Sequence, residues 1–113
     1  MSDINNVTLT GTLSRDVDLR TTKNGKSVAS FTLICEKDTG KAYVPCVAWE
    51  KAAEEIERNC RQGDRLGVQG AINTRSYEKD GKKTYVTEVT VYGYTFLNPP
   101  SENIVTSFDD IVF

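Results

Sequence analysis

The sequence predicts an all-β domain: a small five-stranded barrel with one helix between its third and fourth strands, followed by a short flexible C-terminal tail. Three observations carry this. Apolar and polar residues alternate with period two in stretches bounded by turn-forming residues. One segment, "KAAEEIERNCRQG", repeats its apolar residues at helical spacing instead. Pro99-Pro100 then ends regular structure, because proline cannot continue a ladder or a helix. A chain of 113 residues has room for one domain. We place it at residues 1–98, with a linker and tail at 99–113.

The elements follow in order. In "NVTLTGTL", Val7, Leu9, Gly11 and Leu13 share one face and the threonines the other, and Gly11 suggests a bend or bulge. "SVASFTLICE" is a second strand with Phe31, Leu33 and Cys35 on one face, reached through a hairpin turn at Asn24-Gly25. "KAYVPCVAWE" is the third, edge-like or bulged at Pro45, which has no N–H to donate. In the helical segment Ala52 or Ala53, Ile56 and Cys60 fall on one side. Acids lie early, Arg58 and Arg61 late, and Gly63 follows, as the helix dipole and a glycine terminus favour. "DRLGVQGAINTRSYEKDGKKTYVTEVTVYGYTFL" is a long hairpin turning at Asp80-Gly81. In it Leu66, Val68, Gly70 and Ile72 share one face, and Arg75 and Tyr77 belong to the other.

The order β-β-β-α-β-β is that of the OB-fold, a partly open Greek-key barrel that binds oligonucleotides and oligosaccharides. Fold alone does not give function, so composition has to narrow the classes. There is no histidine, the commonest general acid/base near neutral pH. No phosphate-loop or nucleophile-elbow motif occurs, and no carboxylates cluster to hold magnesium. Cys35, Cys46 and Cys60 are too few and too scattered for structural zinc, and read as small core residues in a reducing compartment. We therefore expect no catalysis, no cofactor and no metal. No apolar run approaches the ~20 residues of a membrane span, and the N-terminus has no secretory-signal pattern. The net charge of −2 hides an asymmetry: residues 99–113 hold three acids and no base, leaving 14 bases against 13 acids before them.

A small barrel favours compact side chains inside. In the third strand Val44, Cys46 and Ala48 fit that requirement, which turns Tyr43 and Trp49 outward together. Arg75 and Tyr77 continue the outward face, and Lys51 follows Trp49 by two residues. Outward aromatics among cations suit single-stranded nucleic acid: unpaired bases stack on Tyr or Trp, and Lys and Arg meet phosphates without regard to base identity. By pattern alone, Trp49 fits the core equally well, and Tyr77 fits a plain cross-strand contact.

Two blocks carry a family likeness. "NNVTLTGTLSRDVDLRTTKNGKSVASFTLICEK" and "CVAWEKAAEEIERNCRQGDRLGVQGAINTRSYEKDGKKTYVTEV", with the spacing between them, resemble the bacterial-type single-stranded DNA-binding proteins over about residues 4–97. The resemblance implies base stacking by Tyr43, Trp49 and Tyr77, and phosphate contacts by Lys51, Arg75 and Arg20. It implies sequence-independent protection of single-stranded DNA in replication, recombination and repair, in the cytoplasm of a bacterial or phage-infected cell and near the nucleoid. A further stacking aromatic of the family has no counterpart in "CEKDTGKA", whose loop is short. A homotetramer is implied, with a dimer as the alternative, paired through roughly Ile4 to Thr10. The short linker and trimmed loop fit a phage- or plasmid-encoded member. The tail "DDIVF" has Val112 where the family has proline. By the same resemblance Asp109, Asp110, Ile111 and Phe113 form a hook for replication and recombination proteins. The competing expectation is an OB-fold primosome or replication adaptor that works mainly through protein contacts.

Overall fold

A computed structural model describes residues 2–97. The strands are β1 (Val7–Leu13), β2 (Asp18–Thr21), β3 (Ser27–Lys37), β4 (Gly40–Trp49), β5 (Arg65–Lys79) and β6 (Lys82–Phe96), and α1 (Glu50–Asn59) lies between β4 and β5. Five of them close on one another. β1 pairs with β5, β5 with β6, β6 with β4, β4 with β3, and β3 returns to β1 at Thr12↔Ile34 and Leu13↔Leu33. The contacts are antiparallel except β4–β6, which is parallel and brief, at Cys46↔Val89 and Val47↔Thr90. The expected OB-type barrel is present, with one helix among the described residues.

The sixth strand is an addition. β2 forms a hairpin with β3, from Asp18↔Ser30 to Thr21↔Ser27, and stands outside the closed ring. The Asn24-Gly25 turn therefore joins β2 to β3, with Gly25 at φ 83°. Closure depends on two glycines. Just after Gly11, at Thr12, β1 begins to pair with β3 while still paired with β5, and a Cβ at Gly11 would sit 2.8 Å from the Ile34 carbonyl oxygen. Of the bend or bulge expected at Gly11, no bulge is present, since the β1–β5 register runs through it unshifted; a bulge lies instead between Gln69 and Gly70, where β6 carries the extra residue Tyr92. At Gly70 a Cβ would come within 1.9 Å of the Thr90 carbonyl oxygen.

Leu13, Ala29, Phe31, Leu33, Cys46, Ala48, Leu66, Val68, Val89 and Val91 fill the barrel, and Ala53, Ile56 and Cys60 of the helical segment cap one end. Burial of this apolar surface is the main favourable term. Trp49 precedes α1 without a capping side chain, and Glu50 takes φ 54°, turning the chain sharply from strand to helix. The helix ends at Cys60 in extended conformation rather than at a glycine, and Arg61 Nη1 donates to the carbonyls of Glu57 (2.6 Å) and Cys60 (2.8 Å). Tyr94 Oη donates to Glu55, tying β6 to α1. Two side chains depart from strict alternation. Ile72, expected inside, is 51% exposed because β5 has run past the core, whereas Val47, of outward parity, is buried. Pro45 sits one residue before β6 begins to pair with β4, where the missing N–H costs no bond to β6.

Candidate nucleic-acid interface

Residues that face one another across a ladder share a face. Two rows follow from the register. Arg20 on β2 opposes Val28 on β3, which opposes Trp49 on β4. Tyr43 opposes Ile34 further along the same outer face. Trp49 lies six positions beyond Tyr43, roughly 20 Å of strand at the usual rise. Across the short parallel seam, Val47 meets Thr90 and Thr90 meets Ala71, so the outer face continues onto β6 and β5. There it presents Glu88 opposite Asn73, Val86 opposite Arg75, and Thr84 opposite Tyr77. Tyr43, Trp49 and Tyr77 are 64%, 43% and 45% exposed. All three are on the outside of the barrel, where stacking on a flat ligand is open to them.

A groove of about 310 Å³ lies on this face between the β1–β2 loop and the β5–β6 hairpin, lined among others by Arg15, Asp16, Ser30, Pro45, Arg75 and Glu88. Its charges are mixed. Arg75 Nε donates to both oxygens of Glu88, at 3.1 and 3.3 Å, and Glu88 is only 6% exposed. Glu88 is the buried acid among the described residues, and Arg75 neutralises it. Arg20 is also paired, with Asp18 at 3.1 Å, but both of these side chains are well exposed. Lys51, in the first turn of α1, is exposed and forms no ion pair among the described residues. The structure thus brings Tyr43, Trp49, Tyr77, Arg20 and Arg75 onto one surface, with Lys51 two residues beyond Trp49 at its border. Asp109, Asp110, Ile111 and Phe113 lie outside the described residues.

Burial raises the Cys46 thiol to about 12, helped by Cys35 and Glu88, and the Cys60 thiol to about 11, helped by Asp64. These are protonated core groups, not nucleophiles. Among the described residues no three His, Cys, Asp or Glu side chains gather to hold a metal, and no helix is long and apolar enough to cross a membrane.

Two residues escaped the sequence reading. Glu88 is an acid within the β-branched run "TYVTEVTV", diagonal to Arg75 across the β5–β6 ladder. Its signal was that position: a carboxylate at the centre of a strand needs a partner. Tyr85 is the other, 72% exposed on the opposite face of the hairpin from Tyr77.

The sequence model of the single-strand binding protein family matches residues 4–97. The chain belongs to that family. It is 38% identical over 109 residues to "Single-stranded DNA-binding protein 2" of Listeria monocytogenes, covering 89% of this chain and 68% of that one. It is 40% identical over 104 residues to the single-stranded DNA-binding protein of Bacillus cereus, covering 85% and 61%. It is 42% identical over 106 residues to that of Enterococcus faecalis, covering 87% and 56%. The match spans from just over half to about two-thirds of the length of these relatives. Within this single-strand binding family member, the matched residues are those of the barrel, and every aromatic and cation of the outer face falls inside them.

Proposed function

We propose that this protein binds single-stranded DNA without catalysis and with little regard to sequence, and that it protects exposed strands during replication, recombination and repair. The observation that carries the proposal is the placement of Tyr43, Trp49 and Tyr77 on one outer face of an OB-type barrel, in a chain of the single-strand binding protein family. Bases would stack on the three rings. Lys51, Arg20 and Arg75 would meet phosphates, and each phosphate neutralised releases counterions, so binding weakens as salt rises. Such a protein works where the DNA is, in the cytoplasm.

The β1 edge supports an oligomer. β1 pairs with β5 from Val7 to Thr12, but with β3 only at Thr12 and Leu13, so among the described residues the other edge from Val7 to Gly11 carries no strand. An open edge of this kind is a template for a second copy. We place a homotetramer first and a dimer second; light scattering at several protein concentrations separates them. We also keep the C-terminal hook as a proposal. Ile111 and Phe113 supply apolar anchors and Asp109 and Asp110 the charge that would meet a basic rim on a replication or recombination protein. Deleting residues 108–113 should strengthen DNA binding at low salt if these acids compete for the cationic face, and unchanged affinity rejects that competition.

One observation favours the adaptor alternative: two of the three candidate arginine and lysine contacts are already ion-paired. The test is fluorescence anisotropy of dye-labelled oligo-dT with Trp49→Ala/Tyr77→Ala. Loss of two stacked bases should weaken binding by about 2–6 kcal/mol with an unchanged melting profile. A protein that binds oligo-dT poorly before and after substitution is the adaptor instead.

A further inference from the structure

The β5–β6 hairpin runs past the barrel. β1 pairs with β5 no further than Gly70, and β4 pairs with β6 only at Val89 and Thr90. From Asn73 to Thr87 the two strands pair only with each other, so both edges and both faces of this ribbon are open among the described residues. One face bears Arg75 and Tyr77. The register puts different residues on the other: Ser76 opposes Tyr85, Glu78 opposes Lys83, Thr74 opposes Thr87 and Ile72 opposes Val89. Tyr85 is 72% exposed, and the Lys83 ammonium lies 5.8 Å from the centre of its ring. The ring and the cation are the pair of groups that a base and its phosphate need. Nothing in the fold uses Tyr85: its side chain is absent from the core and donates no hydrogen bond among the described residues.

At the root of this second face lies a shallow apolar cleft of about 250 Å³, lined among others by Tyr43, Pro45, Ile72 and Thr87. Tyr43 therefore borders both surfaces. It stands on the outer face with Ile34 and also at the foot of the ribbon's reverse side. The tip adds Lys79 and Lys82 to Lys83, against Glu78 and Asp80, for a net positive end.

We propose that the bound strand is held on both faces of the ribbon, with Tyr85 as an additional stacking platform, Lys83 as its phosphate contact, and Tyr43 as the point where the strand passes from one face to the other. This rests on the single-stranded DNA reading above. Lys83 sits over the ring that a base would occupy, so binding moves the ammonium from the ring to the adjacent phosphate. The extra platform lies far along the path, which makes its contribution depend on strand length.

The experiment is a cross-link with oligo-dT carrying 5-iodouracil at single positions, followed by peptide mapping, alongside affinity for oligo-dT of increasing length. The intact protein should give a cross-link at Tyr85. Tyr85→Ala should leave short-oligomer affinity unchanged and weaken long-oligomer affinity about 5- to 150-fold, the factor for one lost stack, while Tyr85→Phe keeps the native affinity. Quenching of Trp49 in the same titrations reports the outer face independently. Quenching with cross-links confined to Tyr43, Trp49 and Tyr77, or equal losses at all lengths, overturns the second platform and leaves DNA binding standing. No quenching and no cross-link overturns both. A Tyr85→Ala protein with native affinity but a changed oligomeric mass assigns the face to a second copy and also overturns the proposal.

Discussion

Arg75→Ala separates structure from binding at the one buried charge of the candidate interface. Glu88 is 6% exposed and its carboxylate accepts twice from Arg75 Nε. Removing one partner of a fully buried pair costs about 3–5 kcal/mol, because the remaining charge is left desolvated. An exposed pair is worth about 0–1 kcal/mol. Here the carboxylate is buried and the guanidinium half exposed, so water can reach only one side of the pair. The expected loss for Arg75→Ala is thus intermediate, about 1–3 kcal/mol. Arg20→Ala is the internal control, since its pair with Asp18 is exposed on both sides and should cost under about 1 kcal/mol. Urea unfolding followed by circular dichroism, at fixed protein concentration, reads each difference as a shift in midpoint. The double variant Arg75→Ala/Glu88→Gln should recover part of the loss, because the orphaned charge is gone, giving a coupling of about 1 kcal/mol or more. Equal, small losses for Arg75→Ala and Arg20→Ala, or strict additivity with Glu88→Gln, would refute the idea that Glu88 depends on Arg75.

Three further outcomes follow from the same geometry. Glu88→Gln keeps an acceptor for Arg75 but removes the opposing charge, so oligo-dT binding should tighten at low salt and the slope of log affinity against log salt should steepen by about 0.7; anisotropy titrations across salt measure it. Gly70→Ala must push Thr90 aside from a 1.9 Å contact, and should cost about 3 kcal/mol or more by thermal melting, whereas Gly81→Ala has open space and only a strained φ of 78°. Cys46 and Cys60 titrate higher folded than their ordinary value of 9.0, so the unfolded chain loses those protons first. Stability from them is intact below pH 9 and declines as pH rises toward 11–12, by up to about 1.4 kcal/mol per pH unit for each thiol; Cys46→Ala/Cys60→Ala should flatten the alkaline limb of melting temperature against pH.

Much of this was legible in the sequence. Strand parity, once the compact side chains of the third strand were assigned to the barrel interior, turned Tyr43 and Trp49 outward, and Asn24-Gly25 and Asp80-Gly81 located two of the three hairpin turns. What escaped was non-local. β2 is four exposed residues with no alternation, and it is a strand only because β3 pairs with it. Ile72 looked like core because its parity was right, but a strand that outruns its barrel exposes both faces. The cations at positions 20 and 75 read as free charges, since sequence shows a charge without showing its partner. One partner lies two residues away and the other across a ladder, 13 residues on. Those pairings decide how much of each charge a phosphate would feel.

The protein has one tryptophan, and it stands on the outer face. Titrating intrinsic fluorescence with poly-dT at low salt is therefore the most direct measurement. Stacking on Trp49 predicts saturable quenching that is reversed by raising the salt concentration and reduced by Tyr43→Ala. Unquenched fluorescence, with no mobility shift of the same DNA, would contradict single-stranded DNA binding by this face.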